Sequence, residues 1–287
     1  MKLCAIVLDY RGASKTEACL RSLAGQGVDT VIVVDNSDSH DASAALANAV
    51  ERLKSAGIAQ RLHVLRPDTN LGFARGVNFA ISHPASGHCD SILLVNNDAI
   101  MSPGALQPMV AALSAGEAEI VAPMIVDDLD KPQPQLWYQR FFGLLTEHRL
   151  PGSYFYLSGC CMLFRRNLIP SGKLFDEDFF MYGEDTLLGW RMLQEGKRTR
   201  QIKDASVRHS GQNANRTSNL FYEYHVTRAH ILLAKKTARI PAEKLILVCT
   251  KTAGLVLRAL TRCIRYRSLT PAKALLLAWR PLAIRKA

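Results

Sequence analysis

In the first 125 residues, short apolar runs recur at intervals that a helix fills. Leu3–Leu8, Thr30–Val34, Arg61–Leu65, Ser91–Val95 and Glu119–Pro123 read as strands. Ser14–Leu23, Asp41–Ala56, Gly72–Ser82 and a stretch from Pro103 to about Leu113 read as helices between them. Strands alternating with helices of this length imply a parallel, doubly wound sheet. The runs are almost wholly apolar rather than alternating, as strands covered on both faces require. Ser14 followed by Glu17 predicts a capping box at the first helix. Pro103 is expected in the first turn of its helix, where the missing N–H costs nothing.

In sheets of this kind, ligands bind beyond the carboxyl ends of the strands. Asp9, Asp35 and Asp98 all fall at that edge. Asp and Asn also end strands because they make turns, but three carboxylates in one place exceed that need.

The second half is less regular. Asp127–Ser153 holds three Pro, two Gly and the cluster Trp137, Tyr138, Phe141 and Phe142, with no clear period. It reads either as a lid or binding loop or as a linker crossing the sheet. Tyr156–Phe164 is strand-like, Arg165–Ile169 starts a helix or turn, Asp185–Gln194 is helical, and Val207–His209 ends a short strand. Helical spacing resumes over Asn219–Lys236, Ala242–Arg262 and Pro271–Ala283.

Charge divides the chain unevenly. From Arg228 onward lie 14 of the 36 Lys and Arg but a single acidic residue, Glu243. Residues 1–227 are left with 22 basic and 24 acidic groups, so the body is near neutral and the tail strongly cationic. Such asymmetry points to an anionic partner, membrane or nucleic acid. No recognised nucleic-acid module is present, and a basic stripe alone is unspecific, so nucleic acid is not expected. The tail mixes Leu255, Leu257, Leu260 and Ile264 with Arg258, Arg262, Arg265 and Arg267, with Trp279 beyond. That suits a basic amphipathic helix at anionic lipid, or else helices packed on the core with solvated basic faces. Seven scattered Cys form no C-x-x-C pair, which argues against a zinc or redox motif and fits reduced thiols in a cytoplasmic protein. The opening apolar run is broken at once by Asp9, Tyr10 and Arg11, unlike a signal peptide. Ile240–Leu260 carries Glu243, Lys244, Lys251 and Arg258, too many charges for a span.

Four segments, in order, resemble the family 2 inverting glycosyltransferases, in particular the bacterial rhamnosyltransferase-like branch. They are Val33-Val34-Asp35-Asn36-Ser37; Asn70-Leu71-Gly72-Phe73-Ala74-Arg75-Gly76-Val77-Asn78; Leu94-Val95-Asn96-Asn97-Asp98; and the run Phe175–Asp185, which ends Tyr182-Gly183-Glu184-Asp185. Ser158-Gly159, Met162–Arg166 and Tyr222–Lys236 fit the same branch. The resemblance covers roughly residues 1–236. It implies a single GT-A domain over 1–236, with a nucleotide-binding half at 1–125 and an acceptor and catalytic half at 126–236. Residues 237–287 would form a basic helical extension.

The resemblance also implies a nucleotide-diphosphate sugar donor, a divalent metal (Mg2+ or Mn2+) and a glycan or lipid-linked acceptor. L-Rhamnose from dTDP-rhamnose is the sugar the branch suggests. Localisation would be cytoplasmic and peripheral, at the inner face of the cytoplasmic membrane. Asn96-Asn97-Asp98 stands where the family has D-x-D, with Asn in place of the first Asp and Asp98 as the metal ligand. Asp35 would contact the nucleotide base or ribose, with Asp9 nearby. Asn70, Gly72, Arg75, Gly76, Asn78 and Asn97 would complete the donor site, with the helix N-terminus at the diphosphate. Asp185 would be the catalytic base, Glu184 its neighbour and candidate acceptor contact, and His209 a second metal ligand or else a structural His. Two other classes stay in view. A sugar nucleotidyltransferase would share the sheet, but Leu8–Ala13 is a poor match to its Gly-rich basic loop. A non-catalytic basic membrane-binding module would explain the tail but not the acidic strand ends.

Overall fold

The computed structural model describes residues 1–57, 61–209 and 219–282. They fall into two compact units. The first holds residues 1–133, 157–176 and 192–209, and is built on one eight-stranded sheet. Its elements are β1 (Leu3–Asp9), α1 (Ala13–Leu23), β2 (Thr30–Asp35), α2 (His40–Ser55), β3 (Leu62–Leu65), α3 (Gly72–Ser82), α4 (Pro84–Gly87), β4 (Ser91–Val95), β5 (Ala99–Met101), α5 (Leu106–Ser114) and β6 (Ile120–Val126). The second holds 134–156, 177–191 and 219–282, opening with β7 (Trp137–Gln139), β8 (Leu144–Thr146) and β9 (Ser153–Phe155). The chain then returns to the first sheet with β10 (Cys161–Arg165), forms α6 (Glu184–Gln194), adds β11 (Thr199–His209), and ends in α7 (Leu220–Lys236), α8 (Pro241–Tyr266) and α9 (Thr270–Leu277).

The large sheet has the order β3-β2-β1-β4-β10-β6-β11-β5. The first four strands of that order run parallel, β10 is antiparallel to both neighbours, β11 is parallel to β6, and β5 is antiparallel to β11. The expected α/β sheet, mostly parallel and flanked by helices, is therefore what the chain forms. Apolarity on both faces is the reason. Val7, Val33, Leu93, Val121, Leu163 and Val207 are buried in one cluster, beneath Leu20 of α1, Leu46 of α2 and Leu106 of α5. At the edge, β3 leaves His63 and Val64 exposed.

Two local expectations fail here. The first helix has Gly12, not Ser14, at its N-cap, with no side-chain cap. Glu17 instead pairs with Arg21 one turn on (2.7 Å) and with Arg52 of α2 (2.5 Å), tying the two helices together. Pro103 lies in a turn, and α5 begins three residues later at Leu106.

In the second unit, the stretch expected to be irregular holds a small antiparallel sheet ordered β8-β7-β9. Tyr138 and Tyr154 pair across β7 and β9, their rings edge-on at 5.7 Å. Arg140 lies 4.0 Å over the Trp190 ring and pairs with Glu243 at 2.9 Å. Asn219 caps α7 by accepting from the Tyr222 N–H. Helices α7, α8 and α9 close a second cluster of Tyr224, Ile231, Leu255, Ala274 and Ala278. Of the residues read as the tail's apolar and basic faces, Leu255 is buried, and Arg258 and Arg262 turn inward to the buried carboxylate of Glu223 (2.8 and 2.5 Å). Residues 283–287 of the expected extension, including the end of Pro271–Ala283, lie outside the described residues.

Candidate active site

Register brings the first unit's polar residues together. Parallel pairing of β1 with β2 sets Asp9 beside Asp35 at the carboxyl edge. Asp9 is fully buried and accepts from Thr16 Oγ1 (2.5 Å), Asn97 Nδ2 (3.3 Å), Ser37 Oγ (3.4 Å) and the Gly12 N–H (3.4 Å). These four contacts are internal, and they hold Asn97 and the start of α1. Asp35 accepts from the Ser37 N–H (3.0 Å), and its other oxygen lies 3.9 Å from the half-exposed Arg66.

Asn36 was assigned no role from sequence, yet it pins the loop before α3. Its Nδ2 donates to the Gly72 carbonyl (3.0 Å) and its Oδ1 accepts from the Leu71 N–H (3.3 Å). Asn70 Oδ1 accepts from the Gly72 N–H at 2.8 Å. Gly72 has φ +72°, a conformation costly to any residue with a Cβ. Gly76 is closely packed: a Cβ there would lie 2.7 Å from Leu8 Cδ2 and 3.0 Å from Asn36 Nδ2. Asn78 is buried. It accepts from the Leu174 and Phe175 N–H groups (3.0 and 3.1 Å) and donates to the Phe175 carbonyl (2.9 Å). Arg75 is exposed on the first turn of α3.

His209 reaches Asp98 through a strand that sequence reading missed. β5 begins immediately after Asp98, and its antiparallel pairing with β11 sets His209 opposite Ala99. His209 Nε2 donates to Asp98 Oδ1 at 3.1 Å, and the side chains keep 16% and 21% exposure. Burial pushes the Asp98 carboxyl up, but His209 and the charge of Lys15 outweigh it and hold it below its ordinary value. Burial lowers the His209 imidazole, but hydrogen bonds to Asp98 and Cys160 lift it to about 10. One carboxylate and one imidazole, side by side and partly open, form a donor set that a borderline divalent cation accepts. Among the described residues no group of three or more His, Cys, Asp or Glu could hold a metal by itself. The remaining ligand positions would therefore fall to phosphate oxygens and water.

In the second unit, Tyr182 (φ +67°) and Gly183 (φ +87°) turn the chain into α6. Gly183 is doubly constrained: a Cβ would lie 2.9 Å from Ala229 Cβ and 3.0 Å from Phe179. The turn delivers Glu184 and Asp185 into the first turn of α6, where the helix dipole favours carboxylates. Asp185 is partly exposed, and its Oδ1 accepts from the Thr186 N–H (2.6 Å) and Oγ1 (3.2 Å). Glu184 is buried, and its Oε2 meets no hydrogen-bond donor among the described residues. Burial, reinforced by the charge of Asp185, pushes its carboxyl far up, so Glu184 is a neutral acid near pH 7. Tyr156 bonds Thr186 and is raised by burial and by Asp185. Phe179 is core, whereas Phe180 stacks on His225 at 5.0 Å and Tyr182 meets Tyr222 edge-on at 5.6 Å.

Thus Asp35, Asp98, Asn97 and His209 gather in the first unit, and Glu184 with Asp185 in the second. Asn36, from within a motif segment, and Lys15 and Arg66, from stretches that carry no motif, join the first group.

Comparison with known proteins bears on what these groups do. Residues 4–171 match the family described as Glycosyl transferase family 2. No curated protein sequence matches the chain. Among solved structures, S. aureus TarS 1-349 is similar with a TM-score of 0.62 at 19% identity, over 97% of this chain and 79% of that one. The same protein in complex with UDP-GlcNAc gives 0.61 at 17% identity, over 97% and 79%. The mannosyltransferase PcManGT from Pyrobaculum calidifontis, in complex with GDP-Man and Mn2+, gives 0.60 at 16% identity, over 97% and 86%. At such identities the likeness establishes the fold, the GT-A arrangement that the motifs led one to expect.

Proposed function

The chain belongs to glycosyl transferase family 2 and is a glycosyltransferase; from that premise we propose that it transfers a sugar, with inversion, from a nucleotide-diphosphate donor to a hydroxyl of a glycan or lipid-linked acceptor. The observation that carries this reading is the meeting of Asp98 with His209 at the sheet edge that also bears Asp35. TarS bound to UDP-GlcNAc and PcManGT bound to GDP-Man support a sugar-nucleotide donor. L-Rhamnose from dTDP-rhamnose is the donor the motif pattern favours.

In a single displacement the acceptor oxygen forms a bond to the anomeric carbon as the bond to the diphosphate oxygen breaks. The acceptor proton must leave as its oxygen attacks. Asp185, partly exposed and held by Thr186, is the group to take it. Glu184, whose carboxyl burial and the charge of Asp185 push up, is the weaker candidate for that base. Asp35 and Arg66 take the base and ribose end of the nucleotide, where a carboxylate accepts from ring N–H or hydroxyl groups. Asn36 and Asn70 fix the loop whose backbone opens α3, with Arg75 available to phosphate. Mn2+ or Mg2+ held by Asp98 and His209 would supply positive charge to the departing diphosphate.

The test is transfer of labelled sugar from dTDP-, UDP- and GDP-sugars to glycan and polyprenyl-linked acceptors. Asp185→Asn is expected to lower turnover about 10²–10⁴-fold while nucleotide affinity stays within a few-fold. Full activity in that variant would refute Asp185 as the base.

A further inference from the structure

Helix α8 has two apolar faces, and only one is used. Leu247, Lys251, Leu255 and Ala259, four residues apart, form the buried stripe, and Arg258 and Arg262 are drawn inward by Glu223. Opposite them Ile246, Val256, Leu257, Leu260 and Ile264 are exposed along one stripe, with exposed Cys249 and Ala253 filling the gaps. At 1.5 Å per residue, Leu245 to Ile264 extends about 30 Å. Ile264 and, just past the helix, Leu269 are each 80% exposed, and Leu276, Trp279 and Leu282 beyond them are exposed too. Apolar surface of this extent is seldom left to water without a purpose.

What covers it is indicated by charge. Lys244, Arg265, Arg267, Lys273 and Arg280 are exposed on the same segment. The one carboxylate of the segment, Glu243, is paired with Arg140. The occupant must be apolar within and anionic at its surface. A second copy of the chain would set these cations against their own kind. No helix of the described residues is long and apolar enough to cross a membrane. We propose that the outward face of α8, extended by α9, docks on the surface of an anionic lipid bilayer, its leucines and isoleucines in the acyl boundary and its Lys and Arg at the headgroups. This stands apart from the catalytic reading.

The experiment is vesicle co-sedimentation of the full chain with phosphatidylcholine alone and with phosphatidylcholine mixed with phosphatidylglycerol. Wild type is expected to bind the mixed vesicles, to bind the neutral ones weakly, and to release as salt rises. Combined Leu257→Ser, Leu260→Ser and Ile264→Ser should weaken binding by at least about tenfold. Thermal melting should stay unchanged, because these side chains touch solvent. Combined Arg265→Glu, Arg267→Glu and Lys273→Glu should abolish the preference for phosphatidylglycerol. No binding by wild type, or undiminished binding by the serine variant, would overturn the proposal. So would a wild-type dimer in light scattering that the serine variant dissolves, since the face would then belong to self-association.

Discussion

Gly183, next to the carboxylate pair, leaves no room for a side chain. Its φ of +87° is strained for an L side chain, and Ala229 and Phe179 occupy the space a Cβ needs. Gly183→Ala is expected to cost about 1–3 kcal/mol, seen as a lower urea midpoint with an unchanged slope. Glu184 gives a second prediction, in pH. Its folded carboxyl titrates well above its ordinary range, so between the unfolded and folded values the native state binds the extra proton. Stability must then fall as pH rises through that window. Glu184→Gln removes the term, and melting curves should show the variant gaining on wild type from pH 5 to pH 8. A constant difference across that range would contradict the buried neutral acid. At this scale the sequence set Asp35 and Asp98 at strand ends, which are visible locally. It could not reveal Lys15, Asn36 or Arg66, whose partners lie far along the chain.

Among the elements, α7 and α8 are joined by a buried charge cluster rather than by apolar packing alone. Glu223 is wholly buried and receives both Arg258 and Arg262. Glu223→Ala should cost about 3–5 kcal/mol, because two cations lose their counterion. Glu223→Leu with Arg258→Met and Arg262→Met should recover most of that loss in chemical denaturation. The same cluster explains why sequence alone could not say which residues of the tail face outward. Spacing along one helix shows that Leu and Arg alternate, but not which stripe is buried, and a partner 35 residues earlier decides it. β1, β2 and β4 were legible as continuous apolar runs. β5, β7, β8 and β9 have three residues each, too short for any period, and exist through their pairing.

For the whole molecule, the central claim is that the acidic edge of the large sheet binds a nucleotide diphosphate together with a divalent cation. The strand alternation foretold that edge. His209 joined it only through the pairing of β11 with β5, 111 residues from Asp98. The most direct measurement is calorimetric titration of UDP, GDP and dTDP, with and without Mn2+, into wild type, Asp98→Ala and His209→Ala. The account predicts that one nucleotide binds in a Mn2+-dependent manner and that each substitution weakens it by at least about tenfold. A folded protein that binds none of the three, or binding indifferent to Mn2+ and to both substitutions, would contradict it.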